Sequence, residues 1–205
     1  SQSLHSWFSH IPGLRVVMPY SVQDARDLLI SSVLSKDPVI YIDDRWLYEN
    51  EEEIEQSITE KKITEIGPTV LIEGSDITIV GSSFSTYLAV QAATDLNELG
   101  ISSEVIDIRV LNPYDPSTVL DSVSKTKNML VVDGSWKNSG FAAEILANVY
   151  ERIDPGLLNS KPQRITLPEA PAPASRKLEQ IYYPTKENIV KIAQLMLVNR
   201  HSKEI

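Results

Sequence analysis

The segment from Ile77 to Ile108, "ITIVGSSFSTYLAVQAATDLNELGISSEVIDI", decides the fold class. It begins with a short apolar run, continues with apolar residues at helical spacing, and ends with a second apolar run. This succession predicts a strand, a helix and a second, parallel strand. Gly100 follows the helical stretch, and its freedom to adopt a left-handed conformation predicts the end of the helix there. The segment therefore indicates an α/β fold.

The same alternation continues towards the carboxyl terminus. Apolar runs predict strands at residues 129–133 and 164–167. Amphipathic stretches predict helices at residues 116–124, 141–152 and 185–198. Alternating strands and helices of these lengths predict a three-layer α/β domain.

A shorter unit of the same kind precedes this domain. We predict strands at residues 14–18 and 39–43, with a helix from Ser21 to Leu34 between them. Ser21 followed by Asp24 is typical of a helix amino cap. The residues predicted to share the buried face of this helix are Val22, Ala25, Leu28, Leu29 and Val33. Residues 49–67 are charged, include the glutamate-rich run Glu49–Glu55, and predict a solvated linker.

Composition excludes several classes of protein. The chain has 205 residues, 42% of them hydrophobic and 23% charged, as expected of a globular protein with a true core. The net charge of −9 argues against nucleic-acid and membrane partners, which need clustered Lys and Arg. The chain has no cysteine, which excludes disulfides, thiolate metal ligands and a cysteine nucleophile. We expect a cytoplasmic protein.

The chemistry-bearing residues form no recognisable catalytic motif. The histidines are His5, His10 and His201, and none has the spacing of a metal site. His5 or His10 could titrate near neutrality, and the alternative for each is a partly buried ring with one hydrogen bond. We expect His201 to lie on the surface near a frayed terminus. The acidic pairs Asp43 with Asp44 and Asp107 with Asp115 have no spacing that demands catalysis.

Two turns between a strand and a helix could hold an anion. Gly81–Ser85, "GSSFS", lacks the lysine of a P-loop and the glycine pattern of a dinucleotide site, so we expect a serine-capped turn. Gly134–Phe141, "GSWKNSGF", follows a strand, where ligand-facing loops collect in open α/β sheets. Gly140 more simply lets the next helix pack closely. From its residues alone, the chain has no self-contained active site.

Longer stretches carry a resemblance to a known family. "SQSLHSWFSHIPGLRVVMP", "DARDLLISSVLSKDPVIYIDDRWLY", "SSEVIDIRVLNPYD" and "LEQIYYPTKENIV" occur in this order along the chain. Together they resemble the beta subunit of the thiamine-diphosphate-dependent first component of 2-oxo acid dehydrogenase complexes. The resemblance implies the tail of a pyrimidine-binding α/β domain at residues 1–48, a linker at 49–67 and a transketolase carboxyl-terminal domain at 68–205. For that domain it implies three layers, α/β/α, around a mostly parallel five-stranded sheet.

The resemblance also implies a function and partners. Members bind thiamine diphosphate with magnesium between an alpha and a beta subunit, decarboxylate a 2-oxo acid and pass the acyl group to a lipoyl arm. Their cofactor-activating glutamate and an active-site histidine precede the segment that begins at Ser1. We therefore expect no catalytic residue here, no thiamine diphosphate bound by this chain alone, and no activity in isolation. The expected partners are an alpha subunit, a second beta subunit in a dimer, and the acyltransferase core.

A potassium site and three alternative functions complete the expectations. Where members bind structural potassium, the matching positions are Ser32, Ser35 and Asp37. A serine at one of these positions replaces an aspartate ligand of the members and so removes a negative charge from the site. One alternative is a non-catalytic dimerisation or docking module with the same fold. The others are fragments of a transketolase or of a deoxyxylulose phosphate synthase homologue, which the quoted stretches resemble less closely.

Overall fold

A computed structural model describes residues 3–55 and 61–198 of the chain. Within these ranges the strands are β1 Arg15–Val17, β2 Val39–Tyr41, β3 Thr69–Ile72, β4 Ile77–Gly81, β5 Ser103–Asp107, β6 Val110–Asn112, β7 Met129–Trp136 and β8 Gln163–Leu167. The α-helices are α1 His5–Ser9, α2 Val22–Leu34, α3 Phe84–Glu98, α4 Ser117–Thr126, α5 Phe141–Arg152, α6 Arg176–Tyr182 and α7 Lys186–Val198. Short 3-10 helices lie at Arg45–Leu47, Ile63–Glu65 and Pro155–Leu157.

The carboxyl-terminal part is built around a five-stranded sheet in the order β3-β5-β4-β7-β8. The strand β3 is antiparallel to β5, and the other neighbours are parallel. Alternate strand residues face opposite sides of the sheet. Ile77 and Ile79 pack with α3 and α7, whereas Val80 packs with α4 and α5. This arrangement confirms the three-layer α/β/α fold with a mostly parallel five-stranded sheet.

The end of α3 follows the sequence prediction closely. Gly100 has a φ of 75°, which is the left-handed region that glycine adopts without a steric penalty. The amide of Ile101 donates a hydrogen bond of 2.9 Å to the carbonyl of Leu96. This closing bond turns the chain back towards the sheet, and β5 begins two residues later.

A second, three-stranded sheet joins the two parts of the chain. The strands β1 and β2 are parallel, as predicted for a strand–helix–strand unit. The strand β6 was not predicted, and it pairs antiparallel with β1 although it follows β5 of the large sheet. Val16 and Met18 consequently belong to the same buried cluster as the α4 and α5 side of the large sheet. The predicted division at residues 1–48, 49–67 and 68–205 stays a prediction.

The helix α2 begins at its predicted cap but buries less than predicted. Ser21 Oγ accepts a hydrogen bond from the Asp24 amide at 3.0 Å. Of the predicted buried face, Leu28 is buried, whereas Leu29 and Val33 are 51% and 77% exposed, so the prediction for these two is wrong. The main contacts of the helix with other helices and strands are with β2 and with the 3-10 helix Ile63–Glu65.

The glutamate-rich linker is partly attached to α2. The Glu52 carboxylate accepts a hydrogen bond from the Val22 amide at 3.1 Å, and the Glu55 amide donates to the Gln23 side chain at 3.0 Å. Negative charge at the start of a helix is stabilising because of the helix dipole. Within residues 3–55 and 61–198, no helix is long and apolar enough to cross a membrane.

Candidate functional site

A buried contact joins α1 to the carboxyl end of the large sheet. His5 Nε2 lies 3.0 Å from Asp133 Oδ1, and the two side chains are 2% and 5% exposed. Nε2 has no aligned hydrogen-bond partner among the described residues, although the Asp133 carboxylate lies within ion-pair distance. On the other side of the ring, Nδ1 lies 2.7 Å from Ser3 Oγ. His5 is thus a buried, partnered ring, the second of the two alternatives left open by the sequence.

The Asp133 carboxylate also organises the backbone around it. Oδ1 accepts a hydrogen bond from the Ser135 amide at 3.0 Å, and Oδ2 accepts one from the Ala142 amide at 2.9 Å. Burial by itself raises the pKa of Asp133, but His5 and these amides outweigh it, so the pKa lies below its usual range. The carboxylate therefore stays charged, and it satisfies an amide in the first turn of α5.

Gly140 allows this close approach. A Cβ at Gly140 would lie 2.2 Å from the Trp136 carbonyl oxygen and 3.3 Å from Asp133 Oδ2. Any other residue would push the start of α5 away from the end of β7. The predicted packing role of Gly140 is therefore confirmed.

A cavity of about 760 Å³ opens beside the His5–Asp133 contact. His5 and Phe8 of α1 form part of its wall, together with residues 43–46. The opposite wall is the turn from Ser82 to Ser85 at the start of α3, with Gly134 of β7 next to it. The cavity therefore lies between the amino-terminal segment and the carboxyl edge of the large sheet.

Arg109 joins three segments of the chain. Its guanidinium donates a hydrogen bond of 3.1 Å to Asp24 of α2 and one of 2.6 Å to the carbonyl of Gly67 in the linker. Its own carbonyl accepts a hydrogen bond of 2.8 Å from the Met18 amide. Its φ of 38° is unusual for a residue with a side chain, so these contacts offset a backbone penalty.

Asp107, at the end of β5, is a second buried carboxyl group. Oδ1 accepts a hydrogen bond of 2.7 Å from Thr86 Oγ1, and Oδ2 has no partner among the described residues. Burial raises the pKa of Asp107 to about 7, and the nearby Asp24 carboxylate adds to this effect. Asp107 therefore holds its proton over much of the acidic range.

The three predicted potassium ligands all have partners within the protein. Ser32 Oγ donates to the Leu28 carbonyl at 2.6 Å, and Ser35 Oγ accepts from the Asp37 amide at 3.2 Å. The Asp37 carboxylate accepts two hydrogen bonds from Arg15, at 2.9 and 2.7 Å. The Arg15 charge competes with any cation at this carboxylate. The potassium site stays a prediction.

The other singled-out residues do not converge on one point. His10 is exposed, and His201 lies outside the described residues. Asp44 Oδ1 accepts a hydrogen bond from the Trp46 amide at 3.0 Å, and Asp43 accepts one from the Tyr48 hydroxyl. Asp115 Oδ1 accepts from the Ser117 amide at 2.9 Å at the start of α4. Except for Asp107, each of these acidic residues stabilises a local turn or contact.

The sequence pattern of a family described as "Transketolase, C-terminal domain" matches residues 69–189. This match covers more than half of the chain and nearly all of the five-stranded sheet with its helices. The chain belongs to the transketolase carboxyl-terminal domain family. The matched region contains the Asp107 and Asp133 carboxyl groups, whereas His5 lies outside it.

Curated relatives extend the similarity of this transketolase-family chain to its amino-terminal segment. The chain is 36% identical to the mitochondrial pyruvate dehydrogenase E1 component subunit beta of Ascaris suum over 96% of its length and 55% of that protein. It is 32% identical to the counterpart from Saccharomyces cerevisiae, covering 96% of this chain and 54% of the relative. The chain spans about half the length of the curated relatives it matches.

Solved structures share the fold at lower identity. A structure titled "Split gene transketolase, inactive beta4 tetramer" covers 95% of this chain and 60% of its own, with a TM-score of 0.76 and 20% identity. A transketolase from Pichia stipitis covers 96% of this chain and 27% of its own, with a TM-score of 0.61 and 18% identity. The similarity therefore includes the amino-terminal segment as well as the five-stranded domain.

The relatives also correct one expectation. The pyruvate dehydrogenase subunits from Ascaris suum, Saccharomyces cerevisiae and Arabidopsis thaliana are all named as mitochondrial proteins. The expectation of a cytoplasmic protein is therefore wrong. That expectation rested on the absence of cysteine, and a chain without cysteine is compatible with more than one cellular compartment.

The described residues do not by themselves fit thiamine diphosphate with magnesium. Within residues 3–55 and 61–198, no group of three or more His, Cys, Asp or Glu side chains could hold a metal ion. Asp43, Asp44 and Arg45 in the cavity wall carry a net charge of −1, which disfavours a diphosphate. No catalytic step is therefore assigned to the cofactor on this chain.

Sequence reasoning missed the His5–Asp133 contact and the role of Arg109. The two members of the contact lie 128 positions apart, and neither belongs to a local motif. One usable signal was the lone acidic residue at the end of the apolar run "MLVVD", because a charge there must find a partner when the strand is buried. Arg109 similarly interrupts two short apolar runs.

We predict that His5 and Asp133 are energetically coupled. In a double-mutant cycle with His5→Ala and Asp133→Asn, the coupling free energy should be about 1–3 kcal/mol, because the pair is buried. The Arg15–Asp37 pair is the matched control, with side chains 24% and 48% exposed. Its cycle, with Arg15→Ala and Asp37→Asn, should give less than about 1 kcal/mol. Urea unfolding measures both, and equal coupling in the two cycles would contradict the assignment.

We also predict that Asp107 makes stability fall as pH rises. The folded state keeps the Asp107 proton up to about pH 7, whereas the unfolded chain releases it near 3.8. The unfolding free energy of the wild type, relative to Asp107→Asn, should therefore fall by about 2–4 kcal/mol between pH 4 and 7 and then level off. Asp121→Asn, which removes a carboxyl group from the exposed surface of α4, is the matched control. A wild-type-minus-Asn difference that is constant from about pH 4 to 8 would refute the prediction.

Proposed function

We propose that this chain is the carboxyl-terminal part of a beta subunit of a thiamine-diphosphate-dependent 2-oxo acid dehydrogenase. The observation that carries the proposal is the similarity to pyruvate dehydrogenase beta subunits, 31–36% identical over 95–99% of this chain. The likeness to solved transketolases, at 16–20% identity, favours a fragment of a transketolase less strongly. In the proposed enzyme, the complete alpha–beta assembly decarboxylates a 2-oxo acid and transfers the acyl group to a lipoyl arm.

We propose that this part of the subunit stabilises the assembly of subunits and does not itself catalyse the reaction. Two of its polar contacts, His5 with Asp133 and Arg109 with Asp24, hold segments of the same chain together. A residue that moves a proton must lie within hydrogen-bond reach of the substrate atom that gains or loses it. Among the described residues these four side chains are instead committed to one another, which supports a bracing role over a catalytic one.

We further propose that the chain associates with a second copy through its carboxyl-terminal domain, and with an alpha subunit and the acyltransferase core in the full complex. The similar structure titled "inactive beta4 tetramer" is an assembly of beta subunits without catalytic activity. On this chain, α6 presents Leu178 and Ile181, which are 51% and 79% exposed and lie three positions apart on one helix face. Exposed apolar side chains at adjacent helix positions suit a subunit contact.

The first experiment measures turnover. The chain, supplied with pyruvate, thiamine diphosphate, magnesium and an artificial electron acceptor, should reduce the acceptor no faster than a blank without protein. Complete yeast pyruvate dehydrogenase E1 component in the same assay is the positive control. A rate that saturates with pyruvate and disappears without thiamine diphosphate would overturn the proposal that this part stabilises the assembly and has no catalytic activity of its own.

The second experiment measures self-association. Light scattering at micromolar concentration should give a mass of at least two chains for the wild type. Ile181→Asp should lower that mass to one chain, because a carboxylate buried at an interface has no compensating partner. Val33→Asp is the matched control, since Val33 is 77% exposed on α2 outside the proposed contact. A monomeric wild type, or a dimer disrupted by Val33→Asp alone, would contradict an interface on the carboxyl-terminal domain.

A further inference from the structure

The Asp107 carboxyl group is fully buried at the end of β5, yet only one of its oxygens has an aligned hydrogen-bond partner among the described residues. Oδ1 accepts a hydrogen bond of 2.7 Å from the Thr86 hydroxyl, whereas Oδ2 has no such donor. A buried carboxylate is costly unless hydrogen bonds replace the water that it loses, and a protonated carboxyl group carries a smaller cost. The site therefore favours the protonated acid.

The charged groups near Asp107 come from two other segments. Arg109 follows β5, and its guanidinium donates a hydrogen bond of 3.1 Å to Asp24 in the first turn of α2. These two side chains are 21% and 15% exposed, and Nε of Arg109 is buried without a partner among the described residues. Asp24 raises the pKa of Asp107 more than Arg109 lowers it. Arg109 thus compensates the charge of Asp24 and leaves Asp107 in a field that opposes its ionisation.

The other groups around Asp107 supply no second cation. Its partners on the neighbouring strands are uncharged, Thr69 on β3 and Gly81 on β4. Tyr20, which precedes α2, interacts with the Asp107 and Glu52 carboxyl groups and with Tyr87 of α3. Burial, together with these groups, raises the pKa of Tyr20 above its usual value of 10.0, so Tyr20 stays neutral. Among all these groups, Arg109 is the one cation that faces two carboxyl groups.

The same arginine fastens α2 and the linker to the end of β5. Besides Asp24, its guanidinium holds the carbonyl of Gly67 through a hydrogen bond of 2.6 Å. Its backbone has a φ of 38°, which is unfavourable for a residue with a side chain. The two hydrogen bonds therefore maintain an arrangement that the backbone does not favour by itself.

We propose that the proton on Asp107 controls the docking of α2 and the linker on the large sheet. While Asp107 is protonated, Arg109 is committed to Asp24 and Gly67, and both segments stay docked. When Asp107 loses its proton, it repels Asp24 and attracts the guanidinium, so both hydrogen bonds of Arg109 weaken and the segments open more often. The proton binds the docked state more tightly than the open state, which is what a two-state switch requires.

The switch works on the acidic side of neutrality. Burial raises the pKa of Asp107 to about 7 in the docked state, whereas an exposed carboxyl group titrates near 3.8. The proton therefore favours docking fully below about pH 4, and this contribution is lost as the pH rises to about 7.

The opening of α2 also reaches the cavity. The Tyr41 hydroxyl of β2 donates a hydrogen bond of 2.9 Å to the carbonyl of Ala25 in α2. Residues 43–46 follow β2 directly and form one wall of the cavity of about 760 Å³. A displacement of α2 is therefore transmitted to this wall.

Hydrogen exchange of the full chain tests the proposal. Exchange is followed by mass spectrometry at pH 5 and pH 7.5 and corrected for the intrinsic rates. In the wild type, the peptide Val22–Leu34 should lose about 10- to 100-fold of its protection at the higher pH, because opening is linked to the release of one proton. Asp107→Asn cannot ionise, and its loss should be less than about threefold. Asp121→Asn, on the exposed surface of α4, should follow the wild type.

A second variant tests the part played by Asp24. Asp24→Asn removes the negative neighbour and releases Arg109 to Asp107, so the Asp107 carboxyl group should titrate at a lower pH than in the wild type. The carbon-13 shift of the Asp107 carboxyl carbon measures this midpoint, and Asp121→Asn should leave it unchanged.

Four results would overturn the proposal. The first is an equal loss of α2 protection in the wild type and in Asp107→Asn. The second is an α2 peptide without protection at either pH, and the third is an unchanged Asp107 midpoint in Asp24→Asn. The fourth is a global stability that changes with pH while α2 protection does not, since the proton would then leave only on complete unfolding. Were Asp107→Asn not to fold, α2 protection in the wild type should still level off at the carbon-13 midpoint of Asp107, and a profile without this plateau would refute the switch.

Discussion

The structure depends on one step of the backbone between Ile108 and Arg109. The Ile108 amide donates to the carbonyl of Gly81 in the large sheet, whereas the Arg109 carbonyl accepts from Met18 beside the small sheet. These consecutive residues, which lie between β5 and β6, therefore form hydrogen bonds towards different sheets, and the backbone turns sharply between them. Arg109 provides this turn with a φ of 38°, and its guanidinium donates hydrogen bonds to the Asp24 carboxylate and the Gly67 carbonyl. Because β6 follows directly, its pairing with β1 ties the small sheet to the end of β5 in the large sheet.

This dependence explains which parts of the fold the sequence predicts. The strands at the centre of the large sheet and the long helices have their own apolar periodicity, so the predicted helix at residues 141–152 coincides with α5, and β4 lies at the start of the segment predicted as strand–helix–strand. The strand β6 has three residues, and its pairing with β1 is made by tertiary contact rather than by a pattern. The exposed side of α2 was misassigned for a related reason, since periodicity identifies a face without saying what covers it. Short elements such as α1 and α6 fall below the length at which periodicity is informative.

The polar contacts were less predictable than the strands. His5 could be seen as a residue of interest, but the sequence left open whether its ring is titratable or buried. Only the fold brings it within 3.0 Å of Asp133, and this proximity is created by the contact of α1 with the region around α5. The "GSSFS" turn was recognised as a strand-to-helix connection, yet the expected serine cap is absent at Ser83. The preference of serine for amino-cap positions predicts a capping hydrogen bond, whereas the observed backbone at Ser83 depends on how closely α3 must approach β4.

The two buried acids at the carboxyl edge of the large sheet show how the segments control charge. Asp107 and Asp133 are both almost fully buried, yet burial raises the pKa of Asp107 while contacts lower that of Asp133. The difference arises from their partners, because Asp133 has the His5 ring and two amides, whereas Asp107 has the Thr86 hydroxyl. His5 comes from the amino-terminal segment, so part of the stabilisation of the Asp133 charge depends on the docking of that segment. The docking of α1 therefore contributes electrostatic stabilisation to the sheet edge as well as a packing contact, and the cavity that α1 helps to line depends on the same docking.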